Sequence, residues 1–147
     1  MKILLDADSC PRAARELVVR RAQKLGIHVI FAANRLIPGS DSVDMVISSN
    51  AENSADDRIV EMAEKGDLVI TRDVPLAKRL VDKEVMAIDD RGRIFTANNI
   101  NELLSLRNFT VGLADNGLDF ERMPNYGKKE LKTFADSLDR ILSRKLG

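Results

Sequence analysis

Short apolar runs alternate along this chain with segments of helical periodicity, and this alternation constrains the fold more than any other feature. Five apolar runs are typical of strands, at about residues 2–6, 27–32, 43–47, 67–71 and 85–88. The first helix is predicted between Pro11 and Gly26, residues that commonly start and end helices. Strands that alternate with helices indicate an α/β fold with a mostly parallel sheet. We therefore predict about five strands with helices on both faces.

The remaining chain is predicted to complete one domain, residues 1–147. Helices are expected at about 55–64 and 75–83, between the later strands, and at about 98–106 and 128–145, packed on the sheet as C-terminal helices. A chain of this length buries about two-thirds of the surface that its unfolded form exposes. One hydrophobic core is therefore enough to stabilise it.

The composition excludes several classes of protein. No apolar run approaches the roughly 20 residues of a membrane span, and no charged-then-apolar leader opens the chain, so we expect a cytoplasmic protein with no membrane partner. The single Cys excludes a zinc site built on several thiolates, and the single His excludes chemistry that needs two imidazoles. The 23 basic and 23 acidic residues cancel, so any attraction to nucleic acid must come from a local patch.

Aspartates follow the predicted strands at the positions where those strands end. Asp6 ends the first strand, Asp8 lies two residues further on, and Asp73 lies just past the fourth strand. In an open α/β sheet, ligands bind outside the carboxyl ends of the strands, where the strand order reverses. With the order 3-2-1-4-5, the first and fourth strands are neighbours there, and Asp6 and Asp73 face each other.

Helical spacing adds a fourth aspartate, from the helix that precedes the fourth strand. Asp56 shares a helix face with the apolar Ile59, whereas Asp57 shares one with Glu61. We therefore assign Asp56 to the site, and we assign Asp57 to a capping box with Ser54.

These four carboxylates would repel one another in a shared pocket. Two unit charges 4 Å apart repel by about 4 kcal/mol at an effective dielectric of 20. Either some carboxylates are protonated or a cation lies among them, and hard oxygen ligands suit Mg²⁺ or Mn²⁺ better than zinc. Such an ion activates water and stabilises the leaving oxygen of a phosphoryl group, so the aspartates would be both metal ligands and catalytic residues. The simpler alternative is that Asp8 or Ser9 only caps the first helix and that Asp73 only caps the helix that begins at Pro75.

Several segments resemble the YaiI/YqxD family of uncharacterised bacterial proteins. Residues 6–11 (DADSCP) resemble the family's DADACP, residues 55–60 (ADDRIV) its ADNxIV, residues 66–77 (GDLVITRDVPLA) its GDLVITxDIPLA, and residues 91–92, 99–100 and 134–140 its PRG, ENI and closing-helix elements. The chain departs from the pattern at Asp90, where the family usually has Pro, and at residues 121–124 (ERMP), near a Gly-Gly-Pro stretch of the family.

That family resembles the PIN-like nuclease superfamily. The resemblance implies a PIN-like three-layer sandwich whose acidic site binds Mg²⁺ or Mn²⁺ and cleaves RNA. The acidic positions of the superfamily fall on Asp6, Asp56 and Asp73, with Asp8 as a fourth.

Two other functions stay open from the sequence. A haloacid-dehalogenase phosphatase begins with a strand followed by D-x-D-x-[TV], which residues 6–10 nearly match, with Asp6 as nucleophile and Asp8 as general acid. Its metal motif places both acidic residues after a strand, whereas Asp67 precedes the fourth strand. The other alternative is a non-catalytic RNA- or protein-binding module on a nuclease-like scaffold.

Three arginines are predicted to contact substrate phosphates: Arg12, Arg72 and Arg91. Arg12 lies in the first turn of the first helix, where the macrodipole disfavours a cation by about 0.3–1 kcal/mol, and an incoming phosphate would offset that effect. RNA is the expected partner, with DNA as the alternative. The sequence leaves the oligomeric state open, a homodimer included.

Overall fold

The computed structural model describes residues 1–34, 37, 43–48, 54–115 and 126–146, with the backbone alone for residues 54 and 110–115. The strands within these residues are β1 (Lys2–Asp6), β2 (His28–Ala33), β3 (Asp44–Ile47), β4 (Leu68–Ile70), β5 (Met86–Ile88) and β6 (Ile94–Phe95). The helices are α1 (Arg12–Leu25), α2 (Ser54–Met62), α3 (Val74–Asp82), α4 (Ile100–Asp115) and α5 (Lys128–Leu146).

The six strands form one sheet in the order β3-β2-β1-β4-β5-β6. Neighbouring strands from β3 to β5 are parallel, and β6 runs antiparallel to β5. The predicted order 3-2-1-4-5 is confirmed. The sequence predicts five of the six strands and misses β6. Two residues are too few to produce a hydrophobic alternation, so β6 leaves no clear signal in the sequence. The strand order reverses between β1 and β4.

Helices cover both faces of the sheet. On one side, α1 and α5 pack against Ile3 and Leu5, and on the other side α2 and α3 pack against Leu4 and Val69. Alternate residues of β1 thus enter opposite cores, as expected for a parallel strand that is buried on both faces. Among the described residues, no helix is long and apolar enough to cross a membrane.

Some helix boundaries differ from the predicted ones. Helix α4 continues to Asp115 instead of ending near residue 106. Its later residues include a β-branched pair and Gly112, which lower helix propensity without preventing a helix. The sequence pattern is therefore weak where the helix continues. Ser54 is the first residue of α2, and its side chain lies outside the described part, so the predicted capping box is not visible. The carboxylate of Asp57 instead accepts a hydrogen bond from Arg79 Nη1 at 2.9 Å. Residues 121–124 also lie outside the described residues.

A tight turn between β5 and β6 brings residues 89–93 to the carboxyl end of β5. The carboxylate Oδ1 of Asp89 accepts hydrogen bonds from the backbone N–H groups of Arg91 and Arg93, each at 2.9 Å. Gly92 has a φ of 86°, in the region that favours glycine. The turn places Asp90 beside the connection between β4 and α3.

Candidate functional site

The carboxyl ends of β1 and β4 open into a cavity of about 270 Å³. Leu5 of β1 pairs with Ile70 of β4, so the residues that follow these two positions lie side by side at the switch point. The described residues that line the cavity are Asp6, Asp8, Ser9, Asn34, Ala55, Asp56 and Asp73. The structure therefore brings together all four aspartates that the sequence assigned to the site.

Asp6 lies deepest in this acidic cavity, with 5 % of its surface exposed. Its Oδ2 accepts a hydrogen bond from the hydroxyl of Thr71 at 2.7 Å. Burial raises the pKa of Asp6, the charges of Asp73 and Asp8 raise it further, and the bonds from Thr71 and Ser9 oppose the rise. The site thus holds one carboxylate whose charged form is unfavourable.

Thr71 links two of the aspartates, and the sequence analysis did not identify it. Its buried hydroxyl donates to Asp6 and accepts from the backbone N–H of Asp73 at 3.0 Å. A hydroxyl is suited to this position because it donates and accepts at one atom. The available signal is its position at the end of β4, two residues before Asp73.

Asp73 is both a helix cap and a member of the acidic cavity. It is the N-cap of α3, and its Oδ1 accepts from the backbone N–H of Leu76 at 3.2 Å. The capping alternative is thus correct for Asp73, and it does not exclude a second role. Asp8 has a different partner from the predicted cap, because its Oδ2 accepts from the backbone N–H of Asn34 at 2.8 Å.

Asp56 faces the cavity from α2, as helical spacing predicts. Partial burial raises the pKa of Asp56 to about 7, and the charges of Asp73 and Asp6 and a hydrogen bond with Asp73 add to the rise. Asp56 therefore binds its proton more tightly than an exposed aspartate does. Arg79 opposes this shift through its charge.

The donor atoms fit a hard cation, although they are not arranged as a complete metal cage. Among the described residues, no group of three or more His, Cys, Asp or Glu side chains is placed to hold a metal ion. Mg²⁺ does not need such a group, because it keeps several waters and binds through one or two carboxylates plus substrate phosphates. The crowding of Asp6, Asp56 and Asp73, which raises two of their pKa values, is the electrostatic condition that a cation relieves.

The three predicted phosphate contacts lie outside the described lining of the acidic cavity. Arg12 is exposed and donates from Nε to Glu16 Oε1 at 2.8 Å. Arg72 forms an ion pair with Asp90. Arg91 is half-buried in the β5–β6 turn. Contact of these arginines with phosphate stays a prediction.

Asp67 lies at the opposite end of the sheet from the cavity. It precedes β4, and its Oδ2 accepts from the ammonium Nζ of Lys2 at 2.6 Å. The geometry therefore gives no support to a haloacid-dehalogenase metal site that would combine Asp67 with Asp73.

The fold and the site define an open α/β domain with an acidic cavity at the switch point of its sheet. Residues 4–144 match the profile of the uncharacterised YaiI/YqxD family, and the chain belongs to this family. It is 49% identical over 146 residues to a UPF0178 protein of Treponema denticola, covering 99% of this chain and 94% of that protein. It is 44% identical to a UPF0178 protein of Treponema pallidum (99% and 84% covered) and 42% identical to one of Pseudomonas aeruginosa (98% and 91%). No solved structure gives a significant match.

Proposed function

We propose that this protein is a divalent-metal-dependent nuclease that hydrolyses phosphodiester bonds in RNA. The observation that carries the proposal is the convergence of Asp6, Asp8, Asp56 and Asp73 on one cavity at the switch point of the sheet. The raised pKa values of Asp6 and Asp56 support it, because they identify a site that is short of positive charge. The resemblance of the family to PIN-like nucleases supplies the reaction class.

In this proposal Asp6 and Asp73 hold the main ion, Mg²⁺ or Mn²⁺, and Asp56 and Asp8 bind it directly or through water. When bound, the ion supplies activation of water and stabilisation of the leaving oxygen. Thr71 keeps Asp6 and the backbone of Asp73 together. Asp56 is suited to accept the proton that the attacking water loses, because its pKa lies near neutral.

The start of α1 favours a substrate phosphate near the cavity. The N-cap Pro11 offers no side-chain hydrogen bond, and the first turn contains no acidic residue. The backbone N–H groups and the positive end of the macrodipole are therefore available to an anion beside Arg12. Arg12 and Arg91 are the proposed phosphate contacts, and RNA is the proposed substrate.

Thermal unfolding with and without Mn²⁺ tests the metal site, with Asp73→Asn as the matched variant. The amide oxygen of Asn can still accept from Leu76 N–H, so the cap is retained while the charge is lost. Mn²⁺ at a hundredfold excess over its dissociation constant should stabilise the wild type by about 2.7 kcal/mol, or about 5–10 °C. The shift should vanish in Asp73→Asn.

A wild-type protein with no Mn²⁺ shift, alone or with a short RNA, would contradict the proposal and favour a binding module. An Asp6 adduct trapped by beryllium fluoride would instead favour the phosphatase.

A further inference from the structure

The buried Asp90 and the partly exposed Arg72 form an ion pair close to the acidic cavity but outside it. Asp90 has no exposed surface, and its Oδ2 accepts from Arg72 Nε at 3.0 Å and also from Arg72 Nη2. The backbone oxygen of Asp90 accepts from the hydroxyl of Tyr126, which packs against the core beneath α1 and α5. The pair therefore lies toward the α1 and α5 side, whereas Asp73 caps α3 on the other side.

The pair fixes the short connection that carries Asp73. Other bonds also hold this connection: Thr71 N–H donates to Ile88 O at 2.9 Å, Arg72 N–H donates to Ser9 Oγ at 3.1 Å, and Asp73 N–H donates to Thr71 Oγ1 at 3.0 Å. All three act on the backbone of the connection. The guanidinium of Arg72 adds an ion pair with Asp90, which ties the connection to the β5–β6 turn.

A guanidinium suits this task because it is planar and holds its donors in a fixed fork. Asp90 is itself immobilised, since its carboxylate is fully buried and its backbone is held by Tyr126. Its other oxygen, Oδ1, is buried and has no hydrogen-bond partner among the residues that the structure describes. A carboxylate in that position is unfavourable without Arg72, so the two side chains depend on each other.

We propose that the Arg72–Asp90 ion pair is a positioning pair that sets the carboxylate of Asp73 in the acidic cavity. Cation binding then depends on Asp90, which does not line the cavity. The claim that cation binding depends on this pair rests on the proposed function, whereas the claim that the pair positions Asp73 does not.

The experiment compares Asp90→Asn, Arg72→Gln, the double variant and Lys78→Gln. Lys78→Gln breaks the Lys78–Asp82 pair on the same helix, α3, and is the control. The first measurement is the Mn²⁺ dissociation constant by calorimetry. The second is hydrogen exchange at the amide of Leu76, which bonds to Asp73 Oδ1 and reports the position of that carboxylate without any metal. Exchange at Leu80, further along α3, is the internal reference.

Each single variant should raise the Mn²⁺ dissociation constant about tenfold and speed exchange at Leu76 relative to Leu80. The double variant should be no worse than the poorer single variant, because both remove the same interaction. It also leaves no unpaired buried charge, so it provides a test if a single variant fails to fold. The control should match the wild type in both measurements.

A lower melting temperature with an unchanged dissociation constant and unchanged Leu76 exchange would overturn the inference and leave the pair a stabilising role only. If the wild type binds no Mn²⁺, the proposed function fails, and Leu76 exchange alone decides whether the pair positions Asp73.

Discussion

At the scale of single residues, the site depends on hydrogen bonds that hold charged groups in unfavourable surroundings. Thr71→Val removes the hydroxyl at nearly constant volume and leaves Asp6 Oδ2 without its donor. An unsatisfied buried group of this kind destabilises a protein by about 1–3 kcal/mol. We expect a loss of that size in urea unfolding near pH 7, and near wild-type stability for Thr71→Ser. A loss in Thr71→Ser as large as that in Thr71→Val would contradict this expectation, because Thr71→Ser keeps the hydroxyl.

The raised pKa of Asp56 predicts a specific pH dependence. In the unfolded chain Asp56 releases its proton near 3.8, whereas in the folded protein it keeps the proton to about 7. Between these values the folded state binds more protons, so the free energy of unfolding of the metal-free protein falls as pH rises through this window. Asp6 acts in the same direction.

Asp56→Asn should therefore flatten the decline in stability between pH 4 and 7, because it removes one of the two aspartates with a raised pKa. Asp82→Asn makes the same chemical change at an exposed position of α3 and is the control. Urea unfolding at several pH values measures both slopes. A slope in Asp56→Asn as steep as the wild-type slope would contradict the assignment.

At the scale of elements, the β5–β6 turn is a contact point for α5. A Cβ atom at Gly92 would lie 2.6 Å from Ser137 Cβ, and Ser137 Oγ donates to Gly92 O at 2.7 Å. Gly92→Ala should thus combine backbone strain with overpacking, each about 1–3 kcal/mol. Gly26→Ala has positive φ but open space around the Cβ, so it should show the strain alone. Thermal unfolding of both variants measures these losses. Equal losses in stability would show that overpacking against α5 contributes nothing at Gly92.

Element prediction succeeded where local pattern and burial agree. The apolar runs of β1 and β4 have a single interpretation, and their adjacency follows from the rules of α/β folds. Helical spacing placed Asp56 in the cavity because one face of α2 must be buried. Thr71 and Asp90 could not be found this way, because their roles depend on partners 65 and 18 residues away in the sequence. Pairing over such distances leaves no local pattern.

At the scale of the whole molecule, the proposed function depends on whether a net-neutral protein can bind a polyanion. The formal net charge is zero, and the residues that line the cavity are acidic, so nucleic acid is not attracted by the protein as a whole. Binding must come from a cation in the cavity together with local phosphate contacts. Affinity for RNA should therefore require Mg²⁺ or Mn²⁺, unlike that of a basic RNA-binding module, which binds without metal.

Cleavage of a labelled single-stranded RNA, with DNA of the same sequence alongside, tests this dependence directly. With Mn²⁺ the wild type should cleave the RNA, and chelation by EDTA should abolish the reaction. Asp73→Asn should lower kcat/KM by about a hundredfold or more, the effect of removing one electrostatic contribution to the transition state. Arg12→Gln should mainly raise KM, because a phosphate contact binds the ground state and the transition state alike. RNA binding that is unchanged by EDTA, without cleavage, would contradict the nuclease and identify a binding module, since the proposed nuclease requires the ion both to bind RNA and to cleave it.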